Sequence, residues 1–95
     1  MPRFHAPRLF MGAAAIGPQG VMQADPVLVA AERRLIDRAE QVILLADSSK
    51  FRSQSGTIVC GLGEVDMVIT DRWISDEMVQ TLKSAGVQVL ICTDC

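Results

Sequence analysis

Five apolar residues in a row, Val42-Ile43-Leu44-Leu45-Ala46, run directly into the polar string Asp47-Ser48-Ser49-Lys50. A strand with one face in water alternates apolar and polar side chains. An unbroken run of this length therefore marks a strand covered on both faces, as in a parallel sheet. It is far short of the ~18 apolar residues a membrane span needs. The same ending recurs: Ile69-Thr70-Asp71 and Cys92-Thr93-Asp94 also close an apolar segment with an aspartate.

The intervals between these segments read as helices. Asp25-Pro26 supplies an N-cap followed by proline at the first helical position. Leu28, Ala31, Leu35 and Ala39, with Ile36 alongside, form an apolar stripe, which predicts a helix over 26–40. The charged cluster Glu32-Arg33-Arg34 with Asp37, Arg38 and Glu40 is read as its solvated face. A second helix starts at Ser75, with Ile74 and Val79 placed for a hydrophobic staple and Gly86 closing it. Leu9-Phe10-Met11 reads as a short buried strand that breaks into the small-residue loop Gly12-Ala13-Ala14-Ala15, and Gly17-Pro18-Gln19-Gly20 as a turn. Residues 1–8, with two prolines and no periodicity, read as a flexible arm. The order is β-α-β-(β)-β-α-β, an α/β domain with a mostly parallel open sheet and flanking helices.

Parallel strands bring their carboxyl ends to one rim, where such folds bind ligands. Asp47, Ser48, Ser49 and Lys50 follow a buried strand and belong on that rim. The carboxylate can accept hydrogen bonds from sugar hydroxyls, while the serine hydroxyls and the ammonium suit a phosphate. The bland alternative is an ordinary Asx turn with Lys50 in solvent. Gly12, Ala13 and Ala14 have side chains small enough to let backbone N–H groups approach a ligand, although tight internal contacts explain such a loop equally well. Asp71 and Arg72 also fall on the rim side, and Trp73 is expected to lie half-buried over the sheet edge. Glu64-Val65-Asp66 reads as the turn before the Met67 strand. No nucleotide-binding glycine motif is present, no cofactor is called for, and no catalytic set is apparent, since the one histidine, His5, lies in the arm.

Composition narrows the function classes. Nine Lys+Arg against eleven Asp+Glu, without a basic cluster, argues against nucleic-acid contacts by this segment. The chain has 95 residues, 49% hydrophobic, with a mean hydropathy of +0.29. That is one modest core with apolar surface to spare. Cys60, Cys92 and Cys95 read as small apolar side chains of a reduced, cytoplasmic protein rather than as a metal or redox site.

Leu9-Phe10-Met11-Gly12-Ala13, then Ala39-x-x-Val42-Ile43-Leu44-Leu45-Ala46-Asp47-Ser48-Ser49-Lys50-Phe51, then Val65-Asp66-x-Val68-Ile69-Thr70-Asp71 form a connected set. Together they resemble the C-terminal sensor domain of DeoR-type bacterial transcriptional regulators, over roughly Leu9 to Ile91. The resemblance implies a fold shared with ribose-5-phosphate isomerases and coenzyme A transferases, of which residues 9–95 would be the later part. It also implies a sugar-phosphate effector, with Asp47, Ser49 and Lys50 contacting it and Gly12–Ala15 as the facing wall. DNA is expected to be contacted only through a missing N-terminal helix-turn-helix. Related isomerases carry an acidic loop where this chain has Gly12-Ala13-Ala14-Ala15, so no enzyme activity is expected. A small isomerase-like enzyme and a structural oligomerisation module are the alternatives. The surplus apolar surface points to a homo-oligomer.

Overall fold

The computed structural model describes residues 8–52 and 56–92. Seven strands and two helices follow one another: β1 (Arg8–Met11), β2 (Ala15–Gly17), β3 (Gly20–Gln23), α1 (Pro26–Arg38), β4 (Gln41–Leu45), β5 (Thr57–Cys60), β6 (Met67–Asp71), α2 (Asp76–Ser84) and β7 (Gln88–Cys92). Strands β1, β4, β6 and β7 form an all-parallel sheet in the order β1-β4-β6-β7. The expected α/β architecture is thus present. Among the described residues no helix is long and apolar enough to cross a membrane.

Three expectations are corrected, and the boundary of the arm moves by one residue. The stretch read as a small-residue loop and turn contains a hairpin: β2 and β3 pair antiparallel, and β3 pairs with β5 in a second, three-stranded sheet. Strands of three and four residues carry little periodic signal, so pairing rather than pattern defines them. Gly20 makes the hairpin possible. Its φ is +138°, and a Cβ there would collide with the Cys60 carbonyl across the β3–β5 pair. Arg8, placed in the arm, is the first residue of β1, and the rest of the arm lies outside the described residues.

The apolar stripe of α1 is the second correction. Asp25 caps the helix by accepting from the Val27 amide at 2.9 Å, as expected. Yet Leu28 and Leu35 are exposed, and the side that turns inward carries Val29, Glu32, Arg33 and Ile36. Arg33 is drawn in by bonds from Nη1 to the Val59 carbonyl (3.1 Å) and to Glu64 (3.1 Å), and from Nη2 to Asp37 (2.7 Å). These carboxylates hold the guanidinium pKa above its ordinary value. Glu64 is correspondingly held below the carboxylate range by Arg33.

Third, Cys92 is disulfide-bonded rather than a free apolar filler. Cys60 meets its expectation, being free and buried, with its thiol pushed up to about 11 by desolvation. Helix α2 is as read: Ser75 accepts from the Met78 amide at 3.1 Å, Ile74 and Val79 both join the core, and Gly86 turns the chain at φ +87°.

Strand alternation and register divide the four-stranded sheet into two faces. Met11, Val42, Leu44 and Val68 lie on one, and are buried in a single core with Ile36 of α1, Leu82 of α2 and Ile16, Val21 and Val59 of the second sheet. The other face carries Phe10, Ile43, Leu45, Met67, Ile69 and Leu90. There Phe10, Leu45 and Leu90 remain 56%, 46% and 50% exposed. Ile43, flanked in register by Phe10 and Met67, is buried.

Candidate functional site

The carboxyl ends of β4, β6 and β7 meet at one rim because their strands are parallel and adjacent. A cavity of about 350 Å³ opens there, lined by Leu45, Ala46, Asp47, Ile69, Thr70, Asp71 and Cys92. Two of the three strand-ending aspartates therefore border one hollow. Asp94 lies outside the described residues.

Asp71 organises the neighbouring turn. Its Oδ2 accepts from the Ser48 amide at 3.0 Å, and the Ser48 hydroxyl adds a bond to the same carboxylate. Its Oδ1 accepts from the Trp73 amide at 2.8 Å. The Ser48 amide is the largest of the influences that hold the Asp71 carboxyl below the usual range. Ser48 is buried, and its hydroxyl is engaged with the Asp71 carboxylate.

Asp47 acts within its own turn. It accepts from the Ser49 hydroxyl and, at 2.9 Å, from the Ser49 amide, while the Lys50 amide donates to the Asp47 carbonyl at 3.1 Å. The chain consequently winds one 3-10 turn over Ser48–Arg52. The Ser49 hydroxyl lowers the Asp47 pKa most, with Lys50 contributing as a nearby positive charge. Both rim carboxylates are thus ionised at neutral pH. Lys50 is half-buried and makes no ion pair among the described residues.

The proposed facing wall lies beside this turn. Gly12 follows β1, whose Met11 is in register with Leu44, and a Cβ on Gly12 would stand 3.8 Å from the Leu45 carbonyl. Strand β2 packs against the Ser48–Arg52 turn. The wall is braced from behind: Gln23 Nε2 donates to the Gly12 carbonyl at 3.0 Å and to Glu32 Oε2 at 3.3 Å. The Ala14 amide already donates to the Met22 carbonyl at 3.0 Å, so it is committed to the hairpin. Gly12, Ala13, Ala14 and Asp47–Lys50 are therefore brought together, but the cavity lies on the far side of Asp47, toward β6 and β7.

Arg72 and Trp73 are not part of the cavity lining. The Arg72 guanidinium lies 5.0 Å from the centre of the Trp73 ring, and Trp73 is 68% exposed rather than half-buried over the sheet edge. The Asp71 bond to its amide fixes the Trp73 backbone and leaves the indole outside. The bracing residues Gln23 and Glu32 had no distinguishing signal in the sequence. The Asp71–Ser48 link had one, the shared apolar-then-Asp ending of neighbouring strands.

The sequence matches the family model of the DeoR C terminal sensor domain over residues 1–72. The chain belongs to the DeoR C-terminal sensor family. It is similar to a putative aga operon transcriptional repressor of Escherichia coli O157:H7, 32% identical over 96% of this chain and 34% of the relative. It is 33% identical to the HTH-type transcriptional repressor GlcR of Bacillus subtilis, over 93% of this chain and 34% of that protein. An Escherichia coli HTH-type transcriptional regulator, UlaR, is 26% identical over 86% of the chain. This DeoR sensor segment spans about a third of the length of these curated relatives.

Proposed function

We propose that this DeoR sensor segment binds a phosphorylated sugar at the rim, and that occupancy alters DNA binding by another part of the same cytoplasmic regulator. The observation that carries this reading is the Asp71–Ser48 link. It fixes the turn that presents Lys50 at the carboxyl end of a parallel sheet. Lys50 offers the phosphate a cation with no competing ion pair among the described residues. Asp47 and Asp71, ionised beside an otherwise apolar hollow, suit the hydroxyl-bearing end of the ligand and repel a second phosphate there. Asp47 and Lys50 make the contacts, Ser49 orients Asp47, Ser48 orients the turn, and Gly12–Ala14 close the opposite side.

An isomerase-like role fits the same residues poorly. A general base working near neutrality needs a raised carboxylate pKa, and Asp47 and Asp71 are both held low. The segment is a binding module whose relatives are named as transcriptional repressors or regulators.

The test is a thermal-shift panel of sugar phosphates and their unphosphorylated parents on a complete regulator carrying this segment. Stabilisation confined to phosphorylated members, accompanied by a change in operator binding, is expected. Equal response to the parent sugars would remove the role given to Lys50.

A further inference from the structure

Gln23 is a buried polar side chain at the last position of β3. Both hydrogens of its amide nitrogen are spent on oxygens, one on the Gly12 carbonyl at 3.0 Å and one on Glu32 Oε2 at 3.3 Å. Turned end for end, the amide would set its own oxygen against a carbonyl and a carboxylate. Its two neighbours therefore fix its orientation. Glu32 Oε1 is buried without a hydrogen-bond partner, so Gln23 is what satisfies this carboxylate among the described residues. Releasing the brace would leave buried polar groups unpaired, which makes it costly to undo.

The consequence falls on the next N–H. The Gly12 carbonyl and the Ala13 N–H belong to one planar peptide, with no cis bond among the described residues, and point in opposite directions. Gln23 draws the carbonyl toward β3 and so turns the Ala13 N–H away from it. One residue on, the Ala14 amide donates to the Met22 carbonyl, also on β3. The chain is thus pinned to β3 on both sides of the Ala13 N–H, which itself donates to no group among the described residues. It stands at the carboxyl end of β1, beside a Gly12 whose missing side chain leaves room: a Cβ there would stand 3.8 Å from the Leu45 carbonyl. Gly12–Ala14 and the turn bearing Lys50 lie on the side of Asp47 away from the hollow that both carboxylates border. An anion on that side meets a cation and a fixed N–H.

We propose that the Ala13 N–H is a backbone donor to the ligand's phosphate, and that Gln23, held by Glu32, is the positioning residue that aims it. The inference rests on the rim reading above and names a contact and a support for that same site.

The experiment is an amide NMR titration of the 95-residue chain with inorganic phosphate, against chloride at matched ionic strength. The Ala13 amide is expected to move downfield and to saturate. Gln23→Met, close in shape but without the donor, is expected to weaken phosphate affinity about tenfold and to remove most of the Ala13 shift. Glu32→Ala leaves β3 intact and frees Gln23 to turn; it is expected to weaken affinity about threefold. A brace that only holds the fold together would instead lower the melting temperature of Gln23→Met and leave the affinity of the folded protein unchanged. Lys50→Ala separates this inference from the reading beneath it. Affinity lost with Lys50→Ala but kept in folded Gln23→Met and Glu32→Ala overturns the aiming of Ala13 and leaves the rim reading standing. Affinity kept with Lys50→Ala but lost with Gln23→Met sustains the Ala13 contact and removes Lys50. Absence of an Ala13 shift at saturating phosphate overturns the contact outright.

Discussion

The two faces of the four-stranded sheet are built from alternate residues of the same strands, yet their fates differ. Leu44 is fully buried beneath the second sheet and both helices, whereas its neighbour Leu45 is half in water. Both are equally apolar, so hydrophobicity alone did not decide which was covered. Connectivity did: the β2–β3 hairpin, β5, α1 and α2 all fold back onto one side. The difference separates residues that hold this segment together from residues that await contact with something else.

Truncation is the strongest way to break that comparison. Leu44→Ala is expected to cost about 2–5 kcal/mol, the range for a fully buried leucine in a well-packed core. Leu45→Ala in the same chain is expected to cost less than about 1 kcal/mol, because its side chain already meets solvent. Urea unfolding of the two variants measures both, and equal losses would mean that the open face is covered in solution.

Much of this division was legible in the sequence. The unbroken Val42–Ala46 run requires a strand that wants cover on both sides, and the surplus apolar content showed that cover was short. The rim was legible too, because Asp47 and Asp71 end apolar runs in neighbouring parallel strands. The hairpin was not, since Ala15–Gly17 is only three residues long and its strand character comes from pairing with Gly20–Gln23. The α1 stripe misled for a related reason. Leu28 and Leu35 are the stronger hydrophobic signal, but the inward positions were taken by Val29, Arg33 and Ile36. Arg33 is held there by Glu64 and the Val59 carbonyl, contacts that no local pattern shows.

The rim offers a second, smaller contrast between its two carboxylates. Asp71 ties one strand end to the adjacent turn, while among the described residues Asp47 bonds within its own turn. Asp71→Asn is expected to speed hydrogen exchange at the Ser48 amide about tenfold, since a neutral acceptor replaces a charge-assisted one. Asp47→Asn should leave the Ser48 amide unchanged and act at Ser49 instead. Amide exchange followed by NMR reads both positions.

Acid gives the smallest effect. Both carboxylates titrate below their ordinary range in the folded chain, so each favours the fold while ionised. Their contribution is present above the unfolded value of about 3.9 and is lost as pH falls through the depressed folded values. Stability should therefore fall below about pH 4, and the Asp71→Asn variant should show a shallower decline. Thermal unfolding between neutral and acidic pH follows it.

Calorimetric titration of a complete regulator carrying this segment, as wild type and as Lys50→Ala, tests the central claim most directly. A phosphorylated sugar is expected to bind the wild type and to lose at least about tenfold in affinity with Lys50→Ala, corresponding to about 1.4 kcal/mol, with an unchanged melting temperature. Unaltered affinity in a folded Lys50→Ala protein would contradict the rim as the phosphate-recognition site.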